Sequence, residues 1–355
     1  MKRARDPRVW LGLVITAVFL WLALRDVSFA EVGKAIAQAN WPLLLGISIP
    51  AHLGALWIRA VRWRYLTDPI HPVSVGPLFR ATAVGFMANN LIPLRVGEVI
   101  RAWYLAREVG VSSSAVFGTV VLERVIDSAV FLLLVGGIVG VYGLRLGAEG
   151  VAVGLPLLFL LSAPMAFVAA LRFWPEPLVR LTGAVVRPFS EPVAVRLQDM
   201  VGSFAEGLGA ISRGGHLFWI FVHSILLWLV VSVVPFWAAI EAFDLDLGSP
   251  ARTLAASYVT LTAVGIAVAV PSAPGFFGPY HYACRLALAR FGVPGAQAVA
   301  LGTLVHGIFW LTVTAAGMAV LAARRTSLHE LEEHSEVQQL SEAPSPGKDP
   351  PSERR

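Results

Sequence analysis

The stretch Asn89–Gly110, NNLIPLRVGEVIRAWYLAREVG, decides how the chain is read. An apolar segment of about residues 77 to 93 carries two asparagines, stops at Pro93 and leads into Arg95, Glu98 and Arg101, which recur every third residue. On a helix that spacing makes one stripe. Ionic groups so near membrane depth are costly and mark candidates for function.

The rest of the chain sets that depth. Of 355 residues, 56% are hydrophobic and only 14% charged, with mean hydropathy +0.69, which excludes a soluble globular domain. A single cysteine, Cys284, excludes an internal disulfide and any cysteine-based zinc or iron–sulfur site, and reads as an apolar packing residue. The net charge of +5 comes from basic residues in short loops between apolar runs, the pattern of membrane topology. Nucleic acid is therefore not expected as a partner. The first apolar run, Val9 to Leu24, is long for a signal peptide and is followed by Arg25 and Asp26, so a retained span is expected.

Apolar runs long enough for a bilayer, which needs roughly 20 residues, lie near 9 to 25, 41 to 58, 115 to 142, 151 to 171, 216 to 240 and 295 to 323. Two more, about 77 to 93 and 253 to 275, end in proline breaks. The expected fold is an all-α polytopic membrane protein with about six full spans plus two broken or re-entrant helical segments. Lys2, Arg3, Arg5 and Arg8 put the N-terminus inside, and Arg59, Arg62, Arg64 and Arg80 are counted as cytoplasmic charge after the second span. Arg324 and Arg325 place the C-terminus inside as well. The first break then enters from the cytoplasm and the second from outside, the arrangement of an inverted repeat. Gly136, Gly140, Gly143 and Gly147 suggest close helix approach. Residues 172–215 read as a cytoplasmic amphipathic connector, and 324–355 as a polar, proline-rich disordered tail.

The run TVVLERVIDSAVFLLL sets Glu123, Arg124 and Asp127 in an apolar span, with Glu123 and Asp127 on one helical face and Arg124 in reach of Asp127. They are expected to line a polar cavity and face the stripe of Arg95, Glu98 and Arg101; the plainer reading is a salt-bridge cluster that locks helices. Arginine forks suit phosphate oxygens. Asn89 and Asn90 either hydrogen-bond a head group or cap the broken helix. At the second break, Pro274, Gly275 and Gly278 free backbone groups beside His281, which reads as a proton-coupling residue or a structural histidine. His52, His223 and His306 read as packing residues. The absence of a GxxxxGK[ST] loop speaks against ATP hydrolysis, HELEEH at His329 to His334 has the wrong spacing for zinc, and Asp244–Leu245–Asp246 is a common loop triplet. No cofactor, metal site or catalytic motif is expected.

NNLIPLRVGEVIRAWYL, then VLERVID, then PSAPGFFG resemble the motifs of the flippase-like family, the lysylphosphatidylglycerol synthase transmembrane domain, over roughly residues 8 to 323. The resemblance implies a flippase-like domain at 9–323 after a short cytoplasmic tail at 1–8, in a bacterial inner membrane. The matching positions are Asn90, Pro93, Arg95, Gly97, Glu98, Arg101, Glu123, Arg124, Asp127, Pro271, Pro274, Gly275 and Gly278; His281 departs, standing where the family more commonly has a carboxylate. The chain ends in a short tail where the full synthase has its aminoacyl-transferase domain, so lysyl transfer is not expected. The expected function is translocation of a phosphate-bearing lipid between leaflets, with the membrane lipid as ligand. The alternative is a membrane subunit of a glycosyltransferase or lipid-modifying enzyme that uses a lipid or polyprenyl phosphate. Homo-oligomers and a lipid-modifying enzyme partner are compatible with either.

Overall fold

The computed structural model describes residues 7–92, 96–142, 166, 170–171, 173–211, 215–270 and 272–324, and these residues are helical with short connections. Helix α1 (Pro7–Leu24) bends by 80° into α2 (Phe29–Gln38), which Ser28 caps by accepting from the Glu31 amide. Helix α3 (Trp41–Thr67) begins at Asn40, whose side chain accepts from the Leu43 amide, with proline in the first turn where no donor is missed. Then come α4 (Val75–Leu91), α5 (Gly97–Val109), α6 (Ser113–Tyr142), α7 (Pro175–Val186) and α8 (Glu191–Ile211). The run His216–Ala242 comprises α9 (His216–Ile225), a widened π turn at Leu226–Val231 and α10 (Val234–Ala242). Pro235 removes the donor that the Val231 carbonyl would use in a regular helix, which accounts for the widening. Helices α11 (Pro250–Ala267), α12 (Pro279–Ala289) and α13 (Gly295–Arg324) complete the fold.

Two helical hairpins flank α13. In the first, α4 and α5 run antiparallel: Gly85 lies against Gly97 and Arg101, while Arg80 pairs with Glu108. An added Cβ on Gly97 would come within 2.1 Å of the Gly85 carbonyl, and one on Gly85 within 2.8 Å of Arg101 Cβ, so this approach requires both glycines. In the second, α11 packs on α12 across a break holding Gly275 at φ +76° and Gly278 at φ +91°. Helix α1 covers it: Thr16 Oγ1 accepts from the Ala273 amide at 2.9 Å, and the Thr16 carbonyl leaves no room for a side chain at Gly278. The apolar core has two large parts and a small third one, Leu56, Ala83 and Val313, that ties α3 and α4 to α13. One large part joins α3 to α6, with Trp63, Met87 and Leu105; the other joins α10 to α13, with Phe236, Leu261 and Leu301.

Among the described residues, three helices are long and apolar enough to cross a membrane: Trp41–Thr67, His216–Ala242 and Gly295–Arg324. The bent pair α1–α2 makes a fourth if counted as one span. Helix α6 covers the residues of the expected span at 115–142 but is not one of these helices; its 30 residues measure about 45 Å at 1.5 Å per residue. The expected span 151–171 lies almost wholly outside the described residues, as do Arg95, Pro93, Pro271, Gly143, Gly147 and the tail from 325 onward. Of the glycines expected to mediate close approach, Gly136 faces open space; tight contacts between helices are made instead by others, among them Gly85, Gly97, Gly265 and Gly317. The connector is a helical hairpin, with Gln198 Nε2 donating to the Val179 carbonyl at 3.1 Å, and α8 leans on α6.

Arg285 secures the bend after α1. Its Nη1 donates to the carbonyls of Leu22, Ala23 and Arg25 at 3.0, 2.9 and 2.7 Å, groups that a helix end leaves without amide partners. Arg285→Ala is expected to cost about 1–2 kcal/mol, since water can replace part of what is lost. The measurement is amide exchange, which should quicken over residues 22–30 and remain unchanged in α13.

Candidate functional site

Five elements deliver ionic or aromatic groups to one buried locus. From α5, Arg101 makes a two-pronged contact with Glu123 of α6, Nη1 to Oε1 at 3.0 Å and Nη2 to Oε2 at 2.9 Å. From α3, Arg62 Nη1 donates to Asp127 Oδ1 at 2.6 Å and to Ser224 Oγ of α9 at 3.0 Å, while Nη2 stands 3.2 Å from Glu123. Arg59, one turn earlier, reaches Asp127 at 3.4 Å and Glu123 at 4.0 Å. Arg124 bonds Glu123 at 2.7 Å, approaches Asp127 at 3.3 Å and stands 3.8 Å from Glu98. Trp228 Nε1, carried by the π turn, donates to Asp127 at 2.9 Å.

Aromatic faces close the locus. The Arg101 guanidinium lies 3.7 Å over the Trp63 ring, and Trp63 Nε1 is held by Thr119 Oγ1 at 2.8 Å. Arg59 lies between the rings of Phe86 on α4 and Trp228, at 5.2 and 5.5 Å. The Arg62 and Glu123 side chains are 0% exposed, whereas Arg124 is 38% and Glu98 30% exposed. The cluster thus has a closed interior and a mouth between α5 and α6. Charges taken out of water persist only when paired and hydrogen-bonded, which the forked contacts provide.

The sequence sets Glu123, Arg124 and Asp127 opposite the stripe of Arg95, Glu98 and Arg101; Arg95 lies outside the described residues, and the structure brings the other five together. By sequence Arg59 and Arg62 read as loop charge beyond a span ending at 58; in the structure α3 continues to Thr67, and both are buried. The signal was present in Leu56, Arg59, Trp63 and Leu66, which keep helical spacing through the arginines. Positive charge at a span boundary outweighed it.

The asparagines have partners within the fold. Asn89 Oδ1 accepts from the Gly97 amide at 2.9 Å, bridging the break, and buried Asn90 donates to Thr314 Oγ1 at 3.0 Å and to the Trp310 carbonyl at 3.4 Å on α13. Trp310 is also where the second break arrives, since its Nε1 would lie 2.9 Å from a Cβ on Gly275. The last turn of α4 and the second break therefore meet across one turn of α13. Pro274 opens a single 3-10 turn there, and Gly278 abuts α1. His281 is grouped with His306 at 5.2 Å and with Phe277 and Tyr280, each at 6.1 Å, and Tyr280 stacks on His306 at 4.3 Å. These rings form an aromatic neighbourhood of their own, distinct from the ion pairs. Cys284 is fully buried against Gly302. Asp246 closes a turn by accepting from the Gly248 amide at 2.8 Å. No group of three metal-ligating side chains occurs among the described residues.

Comparison with known proteins agrees with a membrane domain. A UPF0104 membrane protein of Methanocaldococcus jannaschii is 24% identical over 145 residues, 40% of this chain and 43% of its own length. The glycosyltransferase AglD of Haloferax volcanii is 23% identical over 94% of this chain and 57% of its own length, so the chain spans about half of these two relatives. A UPF0104 membrane protein of Methanothermobacter thermautotrophicus is 24% identical over 90% of this chain and 96% of its own length. No solved structure matches. The family model described as the lysylphosphatidylglycerol synthase TM region matches residues 9–317, and the chain belongs to that family.

Proposed function

We propose that this chain is a lipid translocase: a phosphate-bearing head group passes along the ion cluster while its acyl chains stay in the bilayer. The observation that carries the reading is the gradient of exposure from Arg124 and Glu98 at the mouth to Arg62 and Glu123 within. A phosphate entering at Arg124 can take over contacts now made by carboxylates, so no guanidinium is stripped of its partner at any step. The arms of the first hairpin, 17 and 13 residues, reach about 26 and 20 Å, short of the roughly 30 Å hydrocarbon core. That supports a re-entrant hairpin. The second, with arms of 18 and 11 residues, supports another, and their meeting at Trp310 fits an inverted pair with broken helices near the midplane. Loop arginines favour both termini on the cytoplasmic side of a cell membrane. In this reading the chain performs no covalent chemistry, and movement is downhill or driven by an ion gradient.

The test is a leaflet-resolved assay in proteoliposomes. Lipid exchange should accelerate with wild-type protein and fall to the protein-free rate with Arg101→Met/Glu123→Met, a pair that removes the forked contact without leaving a bare charge. If no anionic, zwitterionic, aminoacylated or polyprenyl phosphate lipid is accelerated, the reading fails.

A second reading, a membrane subunit of a lipid- or polyprenyl-phosphate-dependent glycosyltransferase, is favoured by the relationship to AglD across 94% of this chain. It makes Asp244 and Asp246 candidates for chemistry. The translocase reading makes them turn residues, so Asp244→Asn/Asp246→Asn should leave lipid exchange unchanged.

A further inference from the structure

The charges of the cluster do not balance. Among the described residues, α3 supplies Arg59 and Arg62, α5 supplies Glu98 and Arg101, and α6 supplies Glu123, Arg124 and Asp127; α4 contributes Phe86, and α9 with its π turn contributes Ser224 and Trp228. Four positive charges thus face three negative ones, and guanidinium groups do not shed their protons in proteins. One positive charge is left over in a place largely closed to water. Arg59 is the arginine with the longest ion pairs, 3.4 and 4.0 Å, and it is 8% exposed. Two aromatic faces flank it. Such faces attract a cation weakly and leave its charge uncancelled.

We infer that the head group this site accepts carries a net negative charge, and that Arg59 sets the preference. The inference rests on the translocase reading and narrows it. A phosphodiester without an amine supplies one negative charge and neutralises the cluster. A zwitterionic head group leaves the surplus in place, and an aminoacylated head group with net positive charge adds to it. Like charges brought together at short range in a poorly hydrated site oppose binding strongly. The site therefore selects by total charge, beyond recognising a phosphate.

The experiment compares phosphatidylglycerol, phosphatidylethanolamine and lysyl-phosphatidylglycerol, each as a fluorescent tracer in phosphatidylcholine proteoliposomes holding the full chain. Phosphatidylglycerol should exchange on the order of tenfold faster than the lysyl derivative, with phosphatidylethanolamine between them. Arg59→Gln should collapse the ratio to about twofold while wild-type melting and elution are retained. Because Arg59 is buried, Glu98→Gln gives an independent arm: it lies at the half-exposed mouth, raises the surplus to two positive charges, and should widen the ratio. Inorganic phosphate in the bath should leave exchange unaffected; if it blocks exchange, the site takes a free anion and the inference fails. Equal rates for the three lipids, or preference for the lysyl derivative, would overturn the inference and leave translocation standing. Exchange of none of them, nor of any other phosphate-bearing lipid, removes the translocase reading and this inference with it.

Discussion

Glu123→Ala is expected to be the most damaging single change to stability, lowering it by on the order of 3–5 kcal/mol, the range for stranding a buried charge. Glu123 is 0% exposed and takes contacts from Arg62, Arg101 and Arg124, all within 3.2 Å. Its removal strands Arg101 on the Trp63 face and leaves Arg62 with Asp127 as its one carboxylate among the described residues, beside the Ser224 hydroxyl. The contribution of Arg124 is smaller, because its side chain is 38% exposed and water can serve it. Thermal unfolding in detergent should show the loss directly. Arg101→Met/Glu123→Met should recover most of it, since apolar groups of similar volume often replace a buried pair with little change in stability. A loss below about 1 kcal/mol for Glu123→Ala would mean that water reaches the cluster freely, contrary to the burial seen. The two variants also separate a lock from a pathway. If the double variant is stable and lipid exchange persists, the cluster only ties helices together.

Gly97→Ala should be nearly as severe, for a steric reason. The added Cβ would sit 2.5 Å from the side-chain Oδ1 of Asn89 and 2.1 Å from the Gly85 carbonyl, which is backbone and cannot rotate away as a flexible side chain does. Overpacking costs about 1–3 kcal/mol when neighbours can shift, and the upper end is expected here. The hairpin must open, which also moves Arg101 off Glu123. Gly110→Ala serves as the control for the α5 region: its added Cβ meets nothing, and its cost comes only from φ +74°. Cysteines placed at Arg80 and Glu108, which pair across the hairpin, should report the opening as slower cross-linking in Gly97→Ala. Unchanged cross-linking and melting would show that α4 and α5 do not approach as closely as the structure has them.

Much of the local arrangement was legible because it depends on residues a few positions apart. Helical spacing alone puts Glu123, Arg124 and Asp127 within reach of one another, and marks Glu98 and Arg101 as one stripe. Proline and glycine announce both breaks, because Pro93 cannot continue a hydrogen-bond ladder and Gly275 and Gly278 occupy a backbone region that other residues enter at a cost. Arg59 and Arg62 were misplaced since an arginine beyond a long apolar run looks the same in sequence whether it faces water or a carboxylate. The partner that decides the matter, Asp127, is 65 residues from Arg62. Asn89 and Asn90 left two readings open on sequence alone; the structure ties them to Gly97 and Thr314.

By itself, the amino-acid order determined that the chain lives in a membrane, where its helices break and which ionic side chains lie within apolar segments, because hydropathy and helical periodicity act over a turn or two of backbone. Only the tertiary structure decided that α3 carries two arginines into the cluster, that a π turn aims Trp228 at Asp127, and that the end of α4 and the second break converge on Trp310. Those outcomes depend on which distant helices pack side by side, and the free energy that selects them comes from pairing charges and filling volume between segments up to 220 residues apart.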